Sequence, residues 1–244
     1  MAERLFNKNM TLNDMDNVLE RALSMNRQDV RIIADLPVSE EDYNILITRL
    51  APVKSNMALL QHYRISVVTA WVFALHYEQY KKADCRYIIE EWKIPQYSYR
   101  QFLDICNSVF ADFGILMYFA EIHNEEELYN MVITHAGIPD YISGHFCILL
   151  EDLVETGDMK KALGKMRGQI GGRLKYALDL TSYTFLEGLL DTAANIMWEC
   201  KHDIYTEEDL RNRYPLVSSR LIHLCADWVE KQKEVYGCVM QPAV

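Results

Sequence analysis

Apolar residues fall three and four positions apart over most of this chain, the spacing that lines one face of an α-helix. No stretch alternates strictly with β-branched residues, so strands are not expected. Ten glycines and six prolines in 244 residues leave little punctuation, and the elements should be long. The expected fold is all-α, an irregular multi-helix bundle of about nine to eleven helices too uneven in length for a regular four-helix bundle.

Thr11 followed by Asp14 is a capping box ahead of a stripe of Leu12, Met15, Leu19 and Leu23. Ser39, with Glu40, Glu41 and Asp42 in the first turn, opens a helix that buries Tyr43, Leu46, Ile47 and Leu50 and stops at Pro52. A long central helix is expected near 55–82, with Leu60, Val67, Val68, Trp71, Ala74 and Leu75 inward. Its stretch ISVVTAWVFAL is eleven residues, well short of the roughly 20 that cross a bilayer, and reads as a core helix. A short helix over Tyr87 to Trp92 ends before Pro95, and Ser98 caps one with Phe102, Ile105, Cys106, Val109, Phe110, Phe113 and Met117 on its apolar face.

Glu125 to His135 makes another helix closed by Gly137, and Pro139 opens the next, which Gly157 ends. Helices resume over Tyr183 to Cys200, with Leu190, Ile196, Met197 and Trp198 available for burial. Thr206 and Asp209 form a further capping box, and Pro215 opens a last helix that runs through Trp228 to about Tyr236. The expected organisation is an N-terminal bundle over 1–157, a basic, glycine-rich hinge over 158–175 that opens with a short helix, and C-terminal helices over 176–244. These last should pack on the first part as one domain.

Half the residues are apolar and a quarter charged, which excludes a disordered chain. A net charge of -10 argues against a general affinity for nucleic acid or anionic membrane. Residues Met1 to Met10 contain no apolar secretory core, and the six cysteines show no Cys-x-x-Cys. The reading is a soluble, cytoplasmic protein with reduced thiols and no membrane contact.

Patterns that carry chemistry are scarce. The seven histidines form neither HxxxH nor HExxH, and the paired Glu-x-x-His of di-iron bundles is missing. His135, His145 and Cys147 surround the turn at Gly137 and would converge if the flanking helices packed antiparallel, which makes a metal or thiol enzyme one alternative. The plainer reading of His135 is a helix C-terminus, where an imidazole meets free carbonyls. Glu125 to Glu127 and Glu207 to Asp209 are first-turn acids. The stretch GKMRGQIGG has Met166 where a phosphate loop needs Ser or Thr, and it lacks a preceding strand. No cofactor is expected.

Two surface features remain. The 158–175 segment carries six basic residues, Lys160, Lys161, Lys165, Arg167, Arg173 and Lys175, against one acid. They suit phosphates of a nucleic acid or an acidic partner, or else a solvated linker. Fifteen tyrosines outnumber eight phenylalanines, with Tyr77, Tyr80, Tyr87, Tyr97 and Tyr99 close in sequence. Tyr97 and Tyr99, beside Pro95, together with Trp228 on the last helix, are the candidates for a protein interface. Packing at the rim of the core is the competing reading for the tyrosines.

The order HYRISVVTAWVFALHYEQY, an aromatic helix, THAGIPDY, FCILLEDL and then YTFLEGLLDTAANIMWE resembles a helical region near the N-terminus of large, mostly uncharacterised bacterial proteins. Some of those belong to antiphage or mobile-element systems. The likeness spans about residues 55 to 200, is most specific at His135 to Pro139, and transfers no catalytic residue. Those proteins are much longer, so it implies a stand-alone relative or a domain of a bigger chain. The function expected is a non-enzymatic helical protein–protein interaction module, a scaffold or adaptor in a larger bacterial assembly, with a protein partner or a second copy. Nucleic-acid binding through 158–175 is the first alternative.

Overall fold

The computed structural model describes residues 4–25, 32–77, 99–113, 140–169, 183–202, 206–214, 217 and 219–239. Ten α-helices and one 3-10 turn, with no strand, make up those residues. The protein is all-α, and the chain forms two compact units. The first holds the described residues up to Phe113 and the second those from Asp140 onward.

In the first unit, α1 (Leu12–Met25) begins where Thr11 and Asp14 close their box. The Thr11 N–H and hydroxyl donate to Asp14 Oδ2 at 2.9 and 2.7 Å, and the Asp14 N–H donates back to Thr11 Oγ1 at 3.2 Å. These contacts occupy amides that a helix start leaves open. Leu12, Met15, Leu19 and Leu23 are buried, as their spacing requires. A 3-10 turn (Ile33–Asp35) leads to α2 (Glu40–Leu50), capped by Ser39. Next come α3 (Met57–His62), α4 (Arg64–Tyr77) and α5 (Tyr99–Phe113).

α4 sits in the middle, with α1, α2, α3, α5 and the 3-10 turn all packed on it. That position explains a sequence apolar on every side. Val67, Val68, Trp71, Val72 and Phe73 are wholly buried, each contributing about 2 kcal/mol of transfer free energy. Tyr77 stacks on Phe73 with ring centroids 5.6 Å apart and donates its hydroxyl to the Val38 carbonyl at 2.7 Å. For Tyr77 the rim of the core is therefore the right description.

The central helix expected over 55–82 is two helices among the described residues. Asn56 caps α3 by accepting from the amides of Ala58 and Leu59, and the chain turns at Tyr63 before α4 begins. The break is satisfied from elsewhere in the fold. The Ser66 N–H, in the first turn of α4, donates to Asp16 Oδ1 of α1 at 2.9 Å. Arg64 reaches Ser108 Oγ at 3.0 Å and the Asp112 carboxylate at 2.6 Å, both on α5.

The second unit contains α6 (Asp140–Thr156), α7 (Met159–Gln169), α8 (Tyr183–Lys201), α9 (Glu207–Arg213) and α10 (Ser219–Val239). α8 packs against α6, α7 and α10, and α9 lies on α10. Gly157 ends α6 with φ at +63°, its N–H on the Leu153 carbonyl at 2.8 Å. The box of Thr206 and Asp209 caps α9 as expected.

Two boundaries differ from the sequence reading. The helix over 140–156 groups with the C-terminal helices, because α8, α7 and α10 cover it, so the division falls before it and not after Gly157. The short helix expected at the start of the 158–175 segment is α7, which runs through Gln169. Asp158 Oδ1 accepts from the Lys161 N–H at 2.9 Å, Ala162 is buried, and Lys165 pairs with Asp152 of α6. Residues 170–175 lie outside the described residues. The last helix starts at Ser219 rather than Pro215 and reaches Val239.

Candidate interaction surface

Along α8 the solvent stripe is Asp191, Asn195, Trp198 and His202, spaced like one helix face, while Leu190, Ala193, Ala194, Ile196 and Met197 are buried. Trp198 is 44% exposed although its spacing in the sequence suggested a core position. Its ring stacks on the His202 imidazole with centroids 4.2 Å apart, and His202 Nδ1 lies 2.8 Å from the Trp198 carbonyl oxygen. α6 does the same with an aliphatic residue. Ile148, 52% exposed, shares the outer stripe of His145 and Glu155, while Phe146, Cys147, Leu149 and Leu150 face inward.

The two helices are tied where these side chains emerge. Lys201 Nζ and Glu151 Oε1 are 3.1 Å apart. Ile148 stands one helical turn before Glu151, and Trp198 one turn before Lys201. An apolar side chain on each of two packed helices thus borders one ion pair. Large exposed apolar groups beside a charged rim are what protein interfaces use.

Glu199, next to Trp198 in the chain, is buried, and its Oε1 accepts from Arg213 Nη1 at 3.1 Å and from the Tyr214 hydroxyl at 2.7 Å. These bonds fix the end of α9 on α8. The pairing of α8 with the end of α9 escaped the sequence reading, since nothing local marks Glu199 as an inward residue.

The expected site residues scatter. Lys160 and Lys161 are exposed in the first turn of α7, and Lys165 is half-buried against Asp152. Asp152, Thr156, Asp158, Lys161, Ala162 and Lys165 share one small cleft, so two acids stand among these cations. Arg167 lies on α7 with its side chain outside the described residues, as Arg173 and Lys175 are entirely. Tyr97 also lies outside, and Tyr99 is described only as the first residue of α5. Trp228 is half-buried; a Cβ added to Gly144 of α6 would lie 3.9 Å from its ring. That contact makes the Trp228 ring part of the α6–α10 seam.

His145 and Cys147 do not converge. His145 is exposed and Cys147 buried on opposite sides of α6, and His135 lies outside the described residues. Burial pushes the Cys147 thiol up to about 12, so at neutral pH it is protonated and a poor nucleophile. Among the described residues no three His, Cys, Asp or Glu side chains stand together as a metal site, and no helix is long and apolar enough to cross a membrane. Compared with known families, with curated proteins and with solved structures, the chain matches none.

Proposed function

We propose that this protein is a helical protein–protein interaction module, a cytoplasmic scaffold or adaptor in a larger bacterial assembly, and that the α6–α8 surface of the second unit receives the partner. The observation that carries the reading is the exposure of Trp198 and Ile148 beside the Lys201–Glu151 pair. Leaving about half of each of these side chains in water forgoes about 1 kcal/mol each, which a covering partner recovers. The partner's matching surface is apolar, with polar groups around it that meet Lys201 and Glu151.

The alternative, nucleic-acid binding, draws on exposed Lys160 and Lys161. Asp152 and Asp158, which share a cleft with Lys161, weaken it, because they repel phosphate at the same place. A tagged pull-down from the native host, divided into nuclease-treated and untreated halves, separates the two. The interaction reading predicts a stoichiometric protein that survives nuclease and is lost from the Trp198→Ala, Ile148→Ala double variant. Nucleic acid retained by that variant and lost from Lys160→Ala, Lys161→Ala would replace it.

A further inference from the structure

In the first unit, residues before α1 run over the start of α2. Phe6 is 1% exposed and sits in the core, while its N–H donates to Asp42 Oδ1 at 2.8 Å. The Leu5 N–H reaches Asp42 Oδ2 at 3.4 Å, and Arg4 pairs with Glu41 at 2.6 Å. Arg49 Nη2 donates to the Lys8 carbonyl at 2.5 Å, beside a groove of about 410 Å³ along α2. The segment therefore binds as an extended peptide does: one aromatic anchor, two amides on a carboxylate, and a basic residue on an acid.

Two features make this strap separable from what it covers. Asp42 does not depend on it, since the Ser39 N–H and hydroxyl donate to Oδ2 at 3.1 and 2.6 Å and the Asp42 N–H returns to Ser39 Oγ. With the strap lifted, α2 keeps its cap and the carboxylate regains water. The strap also joins α1 through a tight turn, in which the Asn9 N–H meets Asn7 Oδ1 at 2.9 Å and the Met10 N–H meets the Asn7 carbonyl at 3.2 Å. α1 carries its own cap at Thr11, so opening that turn leaves α1 intact.

We infer that the Asp42–Glu41 socket is a peptide-binding site whose occupant can be the Arg4–Lys8 segment of a second copy of this chain, exchanged for its own. The same contacts form in cis and in trans, so exchange trades only the opened turn and the entropy of association, and it rises with concentration. This surface is independent of the α6–α8 surface.

The test uses full-length Phe6→Ala protein and a fluorescent peptide of residues 4–10. Phe6→Ala keeps Asp42, Glu41 and the socket but loses the anchor. The peptide should bind it saturably, at least about tenfold more weakly to the wild-type chain, whose socket is filled, and not at all when the peptide itself carries Phe6→Ala. Mixed with tagged Asp42→Ala chain, the Phe6→Ala chain should form a heterodimer that neither forms alone. Failure of the folded Phe6→Ala chain to bind the peptide overturns the inference. So does a Phe6→Ala chain that lacks helical circular dichroism, because the strap would then be part of the fold.

Discussion

Replacing Asp42 with Ala removes one buried carboxylate that accepts from Phe6, Leu5 and Ser39. The Phe6 N–H is the buried donor of that set, and leaving it without an acceptor costs about 1–3 kcal/mol. Loss of the reciprocal cap on α2 adds about 1 kcal/mol. The 3.4 Å contact to Leu5 adds little, and the partly buried Ser39 groups turn to water. The sum is about 3 kcal/mol, a large part of the 5–15 kcal/mol that holds a typical domain folded. Cys106 reports on it, because its thiol is buried in α5 and labels when the first unit opens. With an m-value of about 2 kcal/mol/M, the urea midpoint for Cys106 labelling should fall by roughly 1.5 M. Asp14→Ala, which removes the same box from an exposed helix start, should move that midpoint far less. A shift for Asp42→Ala below about 0.5 M, or equal to that of Asp14→Ala, would refute the reasoning.

Gly157→Ala should destabilise by about 1 kcal/mol through its φ of +63° alone, since nothing lies within 4 Å of the added Cβ. Gly188→Ala, exposed within α8 with the same open space, should stabilise by about 0.5–1 kcal/mol, and thermal melts that ranked the two the other way would be a contradiction. Hydrogen bonds from Thr11 and Thr206 hold the Asp14 and Asp209 carboxyls below the ordinary 3.8. Their stabilisation is present above 3.8 and is lost as pH falls through the lower folded values. Burial instead raises the Asp16 carboxyl above 3.8, despite the Ser66 amide it accepts, so its contribution is present below 3.8 and is lost as pH rises through the folded value. Carboxyl carbon shifts followed by NMR should titrate in that order, Asp16 last on the way up in pH. Cys106, Cys147 and Cys225 should resist iodoacetamide at neutral pH until urea opens the fold; native-state labelling of Cys147 at the rate of a free thiol would count against its burial.

What could be read from the sequence was local. The boxes at Thr11 and Thr206 involve residues three apart, and each is formed. The all-round apolar character of α4 announced a central helix, but its break at Tyr63 did not show, because Asp16 stabilises it from fifty residues away. Asp42 looked like an ordinary first-turn acid, and the bond that makes it a hub comes from thirty-six residues upstream. The short helix that opens the 158–175 segment was legible despite its glycines: Gly164 is exposed with open space around it, and the lysines, methionines, alanine and leucine beside it favour a helix. Trp198 and Ile148 were legible in principle. Each shares a helical face with polar residues, Asp191, Asn195 and His202 in one case, His145 and Glu155 in the other, so face membership outweighed apolar character.

The central claim is that a protein partner covers the α6–α8 surface. A photoreactive side chain placed at Ile148, with the same group at Lys161 for comparison, tests it inside the cells that make the protein. The account predicts a discrete protein adduct from position 148 that resists nuclease, and none of comparable yield from 161. A nucleic-acid adduct from 161, with position 148 reacting only with solvent, would contradict it.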